Sequence, residues 1–246
     1  MKTKDLAICL RAVNYSETSQ VVTLLTRDTG KIAAMAKGSR RPKSAFDGAI
    51  EPFSYGQVMF AASETHDKLA TLTEFVQMPQ FRLLRTLLSA MHAGLFALEL
   101  TEAFCELYDP HPDLFDALAE TLRRLQHCDT PPSILPVLID YQTAVLTEGG
   151  IAPLLDRCTN CSAAVAGMRA EWYFSSAANG LLCPGCEQTF TDKRRISFAC
   201  AELLSQSIPI EKASEAALAE AEQLLIYHFT ELMHRPPRMA KYFVVR

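Results

Sequence analysis

Between Asp5 and Gln77 the chain sets apolar and β-branched residues in short alternating or clustered runs; from Phe81 onward it spaces them by three and four. The first pattern predicts strands and the second amphipathic helices. Three consecutive antiparallel strands are expected over residues 5–14, 19–28 and 30–37. Tyr15-Ser16-Glu17 separates the first two, and a tight Asp28-Thr29-Gly30 turn joins the second and third. Lys37 to Asp47 breaks the alternation with charge, Gly38 and Pro42, and reads as a loop. Strand patterning resumes over 51–61, turns over Ser63-Glu64-Thr65-His66-Asp67 and ends with 69–77. Five short strands with one long basic loop between the third and fourth fit a small closed barrel such as an OB-fold, a class that often binds single-stranded nucleic acid.

The period changes at Met78-Pro79. Leu84, Leu87, Leu88, Met91, Leu95 and Leu98 share one helical face and predict a helix from Phe81 to about Leu107, broken by Asp109-Pro110-His111-Pro112. Further helices are expected over 113–126 and 133–148, the latter stopped by Gly149-Gly150. After a cysteine-bearing stretch the helical period returns over 196–206 and from Glu211 to about Met233. The expected organisation is a barrel over residues 1–79, a helical bundle from 80–155 and 193–246, and a small module at 156–192 inserted between its helices. No internal repeat or low-complexity segment is visible.

That module carries the strongest chemical signal. Cys158-Thr159-Asn160-Cys161 and Cys183-Pro184-Gly185-Cys186 are two Cys-x-x-Cys pairs separated by 21 residues. Two residues between cysteines let a tight turn aim both sulfurs at one point, and Pro184-Gly185 suits such a turn. Four thiolates in two matched halves are the ligand set of a tetrahedral structural zinc ion. Glu171 to Ser175 reads as a strand and Ala178-Asn179-Gly180 as the turn before the second pair, giving a small ribbon with the metal in its mouth. A redox role fits less well, because Cys-Pro-Gly-Cys is not set between a strand and a long helix and the second pair would be left without a task. Four cysteines also leave no open position for catalysis. The ion therefore holds the fold, on the scale of about 10–16 kcal/mol seen for zinc-finger peptides.

Composition is that of a globular protein, with 49% hydrophobic and 21% charged residues. Cys9, Cys105, Cys128 and Cys200 are scattered, which favours buried thiols in a reducing cytoplasm over a disulfide framework. Neither a signal peptide nor an apolar run long enough to span a bilayer is visible, so a cytoplasmic, nucleoid-associated location without membrane contact is expected. The net charge of −4 is uneven: residues 1–80 carry 10 basic and 8 acidic residues, and the remainder 14 and 20. Arg27, Lys31, Lys37, Arg40, Arg41 and Lys43 cluster against one acid, Asp28. One basic patch on an acidic protein points to an anionic partner at that place.

Within Lys37-Gly38-Ser39-Arg40-Arg41-Pro42-Lys43-Ser44, flexible cations beside hydroxyls and a glycine can follow consecutive phosphates. Tyr15, Phe46, Phe53 and Tyr55 lie on or near the expected barrel surface, where one or two could stack on bases, while most serve packing. Enzyme motifs are absent: no Gly-x-Ser-x-Gly, Walker A loop, Gly-x-Gly-x-x-Gly or His-Glu-x-x-His occurs. A zinc deaminase would place proline before the second cysteine pair, where Leu182 stands. The six histidines are scattered, and no pair of carboxylates identifies itself as acid and base.

Together these segments resemble the bacterial recombination mediator family RecO. The likeness runs through Asn14-Tyr15-Ser16-Glu17, Leu24 to Lys31, Lys37 to Ser44, Glu51-Pro52-Phe53, Gly150 to Cys158 and Gly180 to Cys183. Ser16 stands where members commonly carry glycine, and Ala240 where they carry serine. The resemblance implies an N-terminal OB-fold, a helical domain, a zinc module and no catalytic turnover. It also implies binding of single- and double-stranded DNA, annealing of complementary strands, and loading of RecA with RecR onto strands coated by single-stranded DNA-binding protein (SSB). Contact with the acidic SSB tail is expected from the helical domain, with Arg82, Arg85, Arg123 and Arg124 as basic candidates. Two other readings stand beside it: an interaction scaffold of zinc ribbon and acidic bundle whose DNA binding is incidental, and an RNA-binding barrel-and-ribbon factor.

Overall fold

The structure is a computed structural model describing residues 2–62 and 69–242. It divides into two compact units, Met1–Asp129 and Thr130–Arg246. The turn expected over Ser63–Asp67 lies outside the described residues.

In the first unit, β1 (Lys2–Asn14), β2 (Gln20–Thr26), β3 (Gly30–Ala36), β4 (Tyr55–Ala61) and β5 (Ala70–Met78) close a barrel in the order β1-β2-β3-β5-β4. This is the expected OB-type topology, with β3 and β5 parallel and the other pairs antiparallel. The 13-residue β1 serves two partners, pairing with β4 through its first half and with β2 through its second, and a bulge between Cys9 and Arg11 bends it between them. Alternation then fills the interior: Val22 and Leu24 of β2, Ile32 and Ala34 of β3, and Val58 and Phe60 of β4 are all buried. At Gly56 a Cβ would stand 2.1 Å from the Val76 carbonyl oxygen, so the approach of β4 to β5 there requires glycine.

A 3-10 turn (Arg82–Arg85) precedes α1 (Leu88–Phe104) and α2 (Pro112–Leu125). The single helix expected from Phe81 to Leu107 is thus broken, beginning as a 3-10 turn whose chain bends at Thr86 and Leu87 and ending at Cys105, where the backbone becomes extended. The two helices pack on the barrel. The Phe53 ring lies 2.9 Å from where a Cβ of Gly94 would be, and Tyr55 meets Phe81 edge-on at 5.5 Å between ring centroids and Phe115 at 6.4 Å. The fourth strand starts at Tyr55, not at Glu51, because Phe53 takes a left-handed backbone (φ 71°) inside a turn.

In the second unit, α3 (Pro131–Glu148) is followed by β6 (Leu154–Cys158), β7 (Trp172–Ser175), β8 (Gly180–Leu182) and β9 (Arg194–Ile196), then α4 (Phe198–Leu204) and α5 (Glu215–Met233). The strands form one sheet ordered β6-β8-β7-β9, with β6 and β8 parallel. Ser197 and Ser214 cap α4 and α5 by accepting hydrogen bonds from the Cys200 and Ala217 N–H groups. Expected strand 171–175 appears as β7; β6 and β9 were not anticipated, being short and carrying Asp156-Arg157 and Arg194-Arg195. Helices α3 and α5 pack together, with Tyr141 and Phe229 among their buried side chains.

Candidate nucleic-acid interface and metal centre

The basic loop between β3 and β4 is held by a buried amide. Gln20, 5% exposed at the start of β2, accepts hydrogen bonds through Oε1 from Ser39 Oγ and from the Ile50 N–H, both at 3.0 Å. Its Nε2 donates to the Ile50 carbonyl, also at 3.0 Å. Both ends of the loop are therefore tied to one side chain. Phe46 and Ile50 turn inward and join the barrel core, while the Gln77 amide donates to the Phe46 carbonyl at 2.7 Å.

With its apolar residues anchored below, the loop presents its cations outward. Lys37, Arg40, Arg41 and Lys43 are exposed, and none pairs with a carboxylate among the described residues. The loop is also stitched to the β1–β2 turn: Gly38 N–H donates to Ser19 Oγ at 3.3 Å and Arg40 N–H to the Thr18 carbonyl at 3.1 Å. Between the two segments lies an open cavity of about 490 Å³ lined by Tyr15, Ser16, Ser19, Met35, Lys37, Gly38 and Arg41.

Arg27 and Lys31 sit elsewhere, on the β2–β3 hairpin against the helices. Arg27 forms a two-pronged bond to Asp116 of α2, at 3.0 and 2.7 Å, and Asp116 holds the guanidinium pKa above its ordinary value. Lys31 Nζ donates to the Glu102 carbonyl of α1 at 2.6 Å. The hairpin turn has an anchor of its own, Asp5, which accepts from the Thr29 N–H at 2.9 Å and the Thr29 hydroxyl at 2.8 Å. The six basic residues thus divide into four on the free loop and two that fasten helices to the barrel, a division that sequence proximity does not reveal.

The aromatics divide as well. Phe46 and Phe53 are 4% and 5% exposed, and Tyr55 is half-buried among Phe81 and Phe115. Tyr15 is 70% exposed beside the cavity. Of the four aromatics considered for stacking, the fold leaves Tyr15 open. Among the helix-borne cations, Arg85 bonds Glu51 and donates to the Pro52 carbonyl, and Arg123 pairs with Glu120.

In the second unit the parallel pairing of β6 with β8 brings the two cysteine turns to one end of the sheet. Cys158 closes β6, and Cys183 follows β8 directly. The backbone then turns tightly at each pair, Ser162 N–H donating to the Cys158 carbonyl at 2.9 Å and Cys186 N–H to the Cys183 carbonyl at 3.0 Å. The sulfurs of Cys158, Cys161, Cys183 and Cys186 lie within 4.8 Å of one another, with Cys161 and Cys183 3.6 Å apart. Four sulfurs at about 2.3 Å from one tetrahedral ion would be about 3.8 Å apart, whereas a disulfide would bring two of them to about 2.05 Å. The spacing fits a shared ion, and all eight cysteines are free thiols.

The thiol chemistry agrees. Burial works to raise the Cys158 pKa, but the N–H groups of Cys183, Cys161 and Asn160 directed at its sulfur outweigh it and draw the thiol down to about 7. Cys183 is pushed up to about 12 by burial and by its sulfur neighbours, so the protons are shared unequally in a site that a cation would empty. The Asn160 side-chain amide also donates to Cys186 Sγ at 3.3 Å, a donor outside the ligand set that would hold a metal-bound thiolate in place. By contrast, burial raises the thiols of Cys9, Cys105 and Cys200, which pack as inert apolar groups. No helix among the described residues is long and apolar enough to cross a membrane.

Comparison with known proteins adds ancestry to this geometry. Residues 1–79 match the family model described as "Recombination protein O N terminal", and residues 85–240 the model "Recombination protein O C terminal". The DNA repair protein RecO of Salinibacter ruber is 39% identical over 151 residues, covering 61% of this chain and 57% of that protein. The RecO of Rhodopirellula baltica is 34% identical over 181 residues, 74% of this chain and 66% of its own. That of Bacillus subtilis is 31% identical over 186 residues, 76% and 69%. The match thus spans less than two-thirds of the length of the first two relatives, 57% of one and 66% of the other. With both family models matched in order along a closed barrel and a helical, four-cysteine unit, this chain belongs to the recombination protein O family of DNA repair proteins.

Proposed function

We propose that this chain is a non-catalytic recombination mediator that binds single- and double-stranded DNA, anneals complementary strands, and acts with RecR to load RecA onto SSB-coated DNA in the cytoplasm. The observation that carries the reading is the β3–β4 loop, which holds four exposed, carboxylate-free cations on an OB-type barrel. Annealing without nucleotide hydrolysis needs only that phosphate repulsion be lowered and that two strands be held at high local concentration, after which base pairing drives the reaction. Lys37, Arg40, Arg41 and Lys43 supply direct phosphate contacts. Arg27 and Lys31 add to the local field while their side chains serve the helix contacts.

The four-cysteine site holds one structural zinc ion, in keeping with a sulfur-only, closed ligand set. The acidic SSB tail is received by the helices that follow the barrel, with Arg82, Arg85, Arg123 and Arg124 as its basic candidates.

The test is annealing of complementary oligonucleotides precoated with SSB, with and without this protein and RecR, across a salt series and without ATP. Acceleration that fades as salt rises is expected. Reversing Arg40 and Arg41 to Glu should weaken DNA binding and make log Kd against log salt shallower by about 1–1.5 for single strands. Unchanged affinity and slope in that variant would remove the loop from the interface, and absent acceleration by the unaltered protein would favour the scaffold reading.

A further inference from the structure

The cavity between the β1–β2 turn and the basic loop differs from the rest of the loop surface in having an aromatic wall. Tyr15 lines it with 70% of its surface exposed, its backbone held by its own N–H donating to the Ser19 carbonyl at 2.9 Å. Met35 of β3 adds an apolar thioether to the lining, and Lys37 and Arg41 add two cations. The Arg41 stem lies beside Gly38, its Cδ, Nε and Cζ atoms 3.5–3.8 Å from where a Cβ of that glycine would be, and both residues line the cavity. Arg40 and Lys43 do not line it.

The site is preformed, because the Gly38–Ser19 and Arg40–Thr18 hydrogen bonds fasten its two walls together. Its chemistry is a flat π-face, a polarisable thioether and two cations, which suits a planar heterocycle between two phosphates. A base inside a duplex shows its edge and keeps its faces stacked on neighbours, so it cannot lie on Tyr15.

We infer that this cavity takes one unpaired nucleobase, stacked on Tyr15 with its flanking phosphates at Lys37 and Arg41, and so makes the basic loop discriminate single-stranded from double-stranded DNA. The inference rests on the proposed DNA-binding role of that loop and adds to it the class of ligand group the cavity accepts. Phosphate contacts alone bind both forms; the stacked base is what a duplex cannot offer.

The experiment compares the full chain with Tyr15→Ala, Tyr15→Phe and Arg40→Glu/Arg41→Glu variants. It measures affinity for a single-stranded oligonucleotide, the same oligonucleotide as a duplex, and a strand of abasic sites, each across the same salt series. Tyr15→Ala should weaken single-strand binding by about five-fold or more, with duplex binding and the salt slope unchanged, and Tyr15→Phe should restore it. The unaltered protein should bind the abasic strand as Tyr15→Ala binds the normal one. Equal losses on strand and duplex, or no loss in Tyr15→Ala while the double charge reversal weakens both, would overturn the stacking site and leave the DNA-binding role standing. No loss in either variant would overturn both. Circular dichroism and one melting curve per variant separate these outcomes from misfolding.

Discussion

Glu222 lies in the middle of α5 with no exposed surface, and the Gln142 amide of α3 donates to its Oε2 at 2.5 Å. Glu222 Oε1 and Gln142 Oε1 are buried without a partner among the described residues. Burial therefore dominates, and it pushes the Glu222 carboxyl up to about 7 against the partial relief of the Gln142 bond. An acid whose folded pKa is raised favours the folded state when protonated. Its contribution is fully present below the unfolded value near 4.5 and is lost as pH rises through about 7. His228, buried and drawn down to about 4, acts with the opposite sign: stability falls as pH drops through its unfolded value near 6.5 toward 4. Glu222→Gln isolates the first effect, because His228 is common to both proteins. The variant should gain on the order of 2 kcal/mol relative to the unaltered protein between pH 5 and pH 8 in denaturant melts. Parallel stability curves across that range would show that the carboxyl is not buried as described. Nothing in the sequence marked Glu222 out; in α5 it is one acid among several, and the rotation of the helix against α3 turned it inward.

At the scale of elements, the β3–β4 loop shows how far local sequence reaches. Its charge, Gly38 and Pro42 announced an irregular basic segment, and the structure contains one. Its inner half was not legible, because Phe46 read as an aromatic on or near the barrel surface and Ile50 carried no signal of its own until the barrel closed over them. Gln20 was likewise a polar residue at a strand start, with no local signal that it would bind Ser39 and Ile50 across 19 and 30 residues. Gln20→Ala should leave the Ser39 hydroxyl and both Ile50 backbone groups short of partners and cost about 2–3 kcal/mol. Hydrogen exchange should quicken over residues 37–50 more than in β1 or β2; uniform loss of protection would mean that the amide supports the whole barrel and not the loop. Helix α1 failed in a complementary way. Its apolar spacing ran unbroken from Phe81, yet the chain bends at Thr86 and Leu87, since periodicity records which face is apolar and not whether the axis is continuous.

At the scale of the molecule, two compact units have different sources of stability. The first encloses a barrel core of 14 buried residues among those described, with two helices fastened to it by Arg27, Lys31 and the rings around Tyr55. The second joins helices to a sheet of three- to five-residue strands, too short to be stable unaided, whose cysteine turns converge at one end. Metal should therefore matter unequally. Elemental analysis should find one zinc per chain, lost in Cys158→Ser/Cys183→Ser. A strong chelator should lower the melting of the second unit, followed through the buried Trp172, while exchange protection in β1–β5 stays high. A chelator-insensitive Trp172 signal would remove the structural role of the ion.

Pattern and spacing were enough for the barrel class, the order of its five strands along the chain, the main helices and the four-cysteine set, because each of these is written in periods of two or three to four or in a short fixed interval. Contacts between distant residues were not. That Arg27 faces Asp116, that Phe46 fills the barrel, that Tyr15 alone of four aromatics stays open beside Lys37 and Arg41, and that Glu222 is enclosed all depend on which faces meet after folding. A one-dimensional pattern says that a side chain belongs to a face; only packing decides what that face meets, and with it whether a charge is free to bind or already bound.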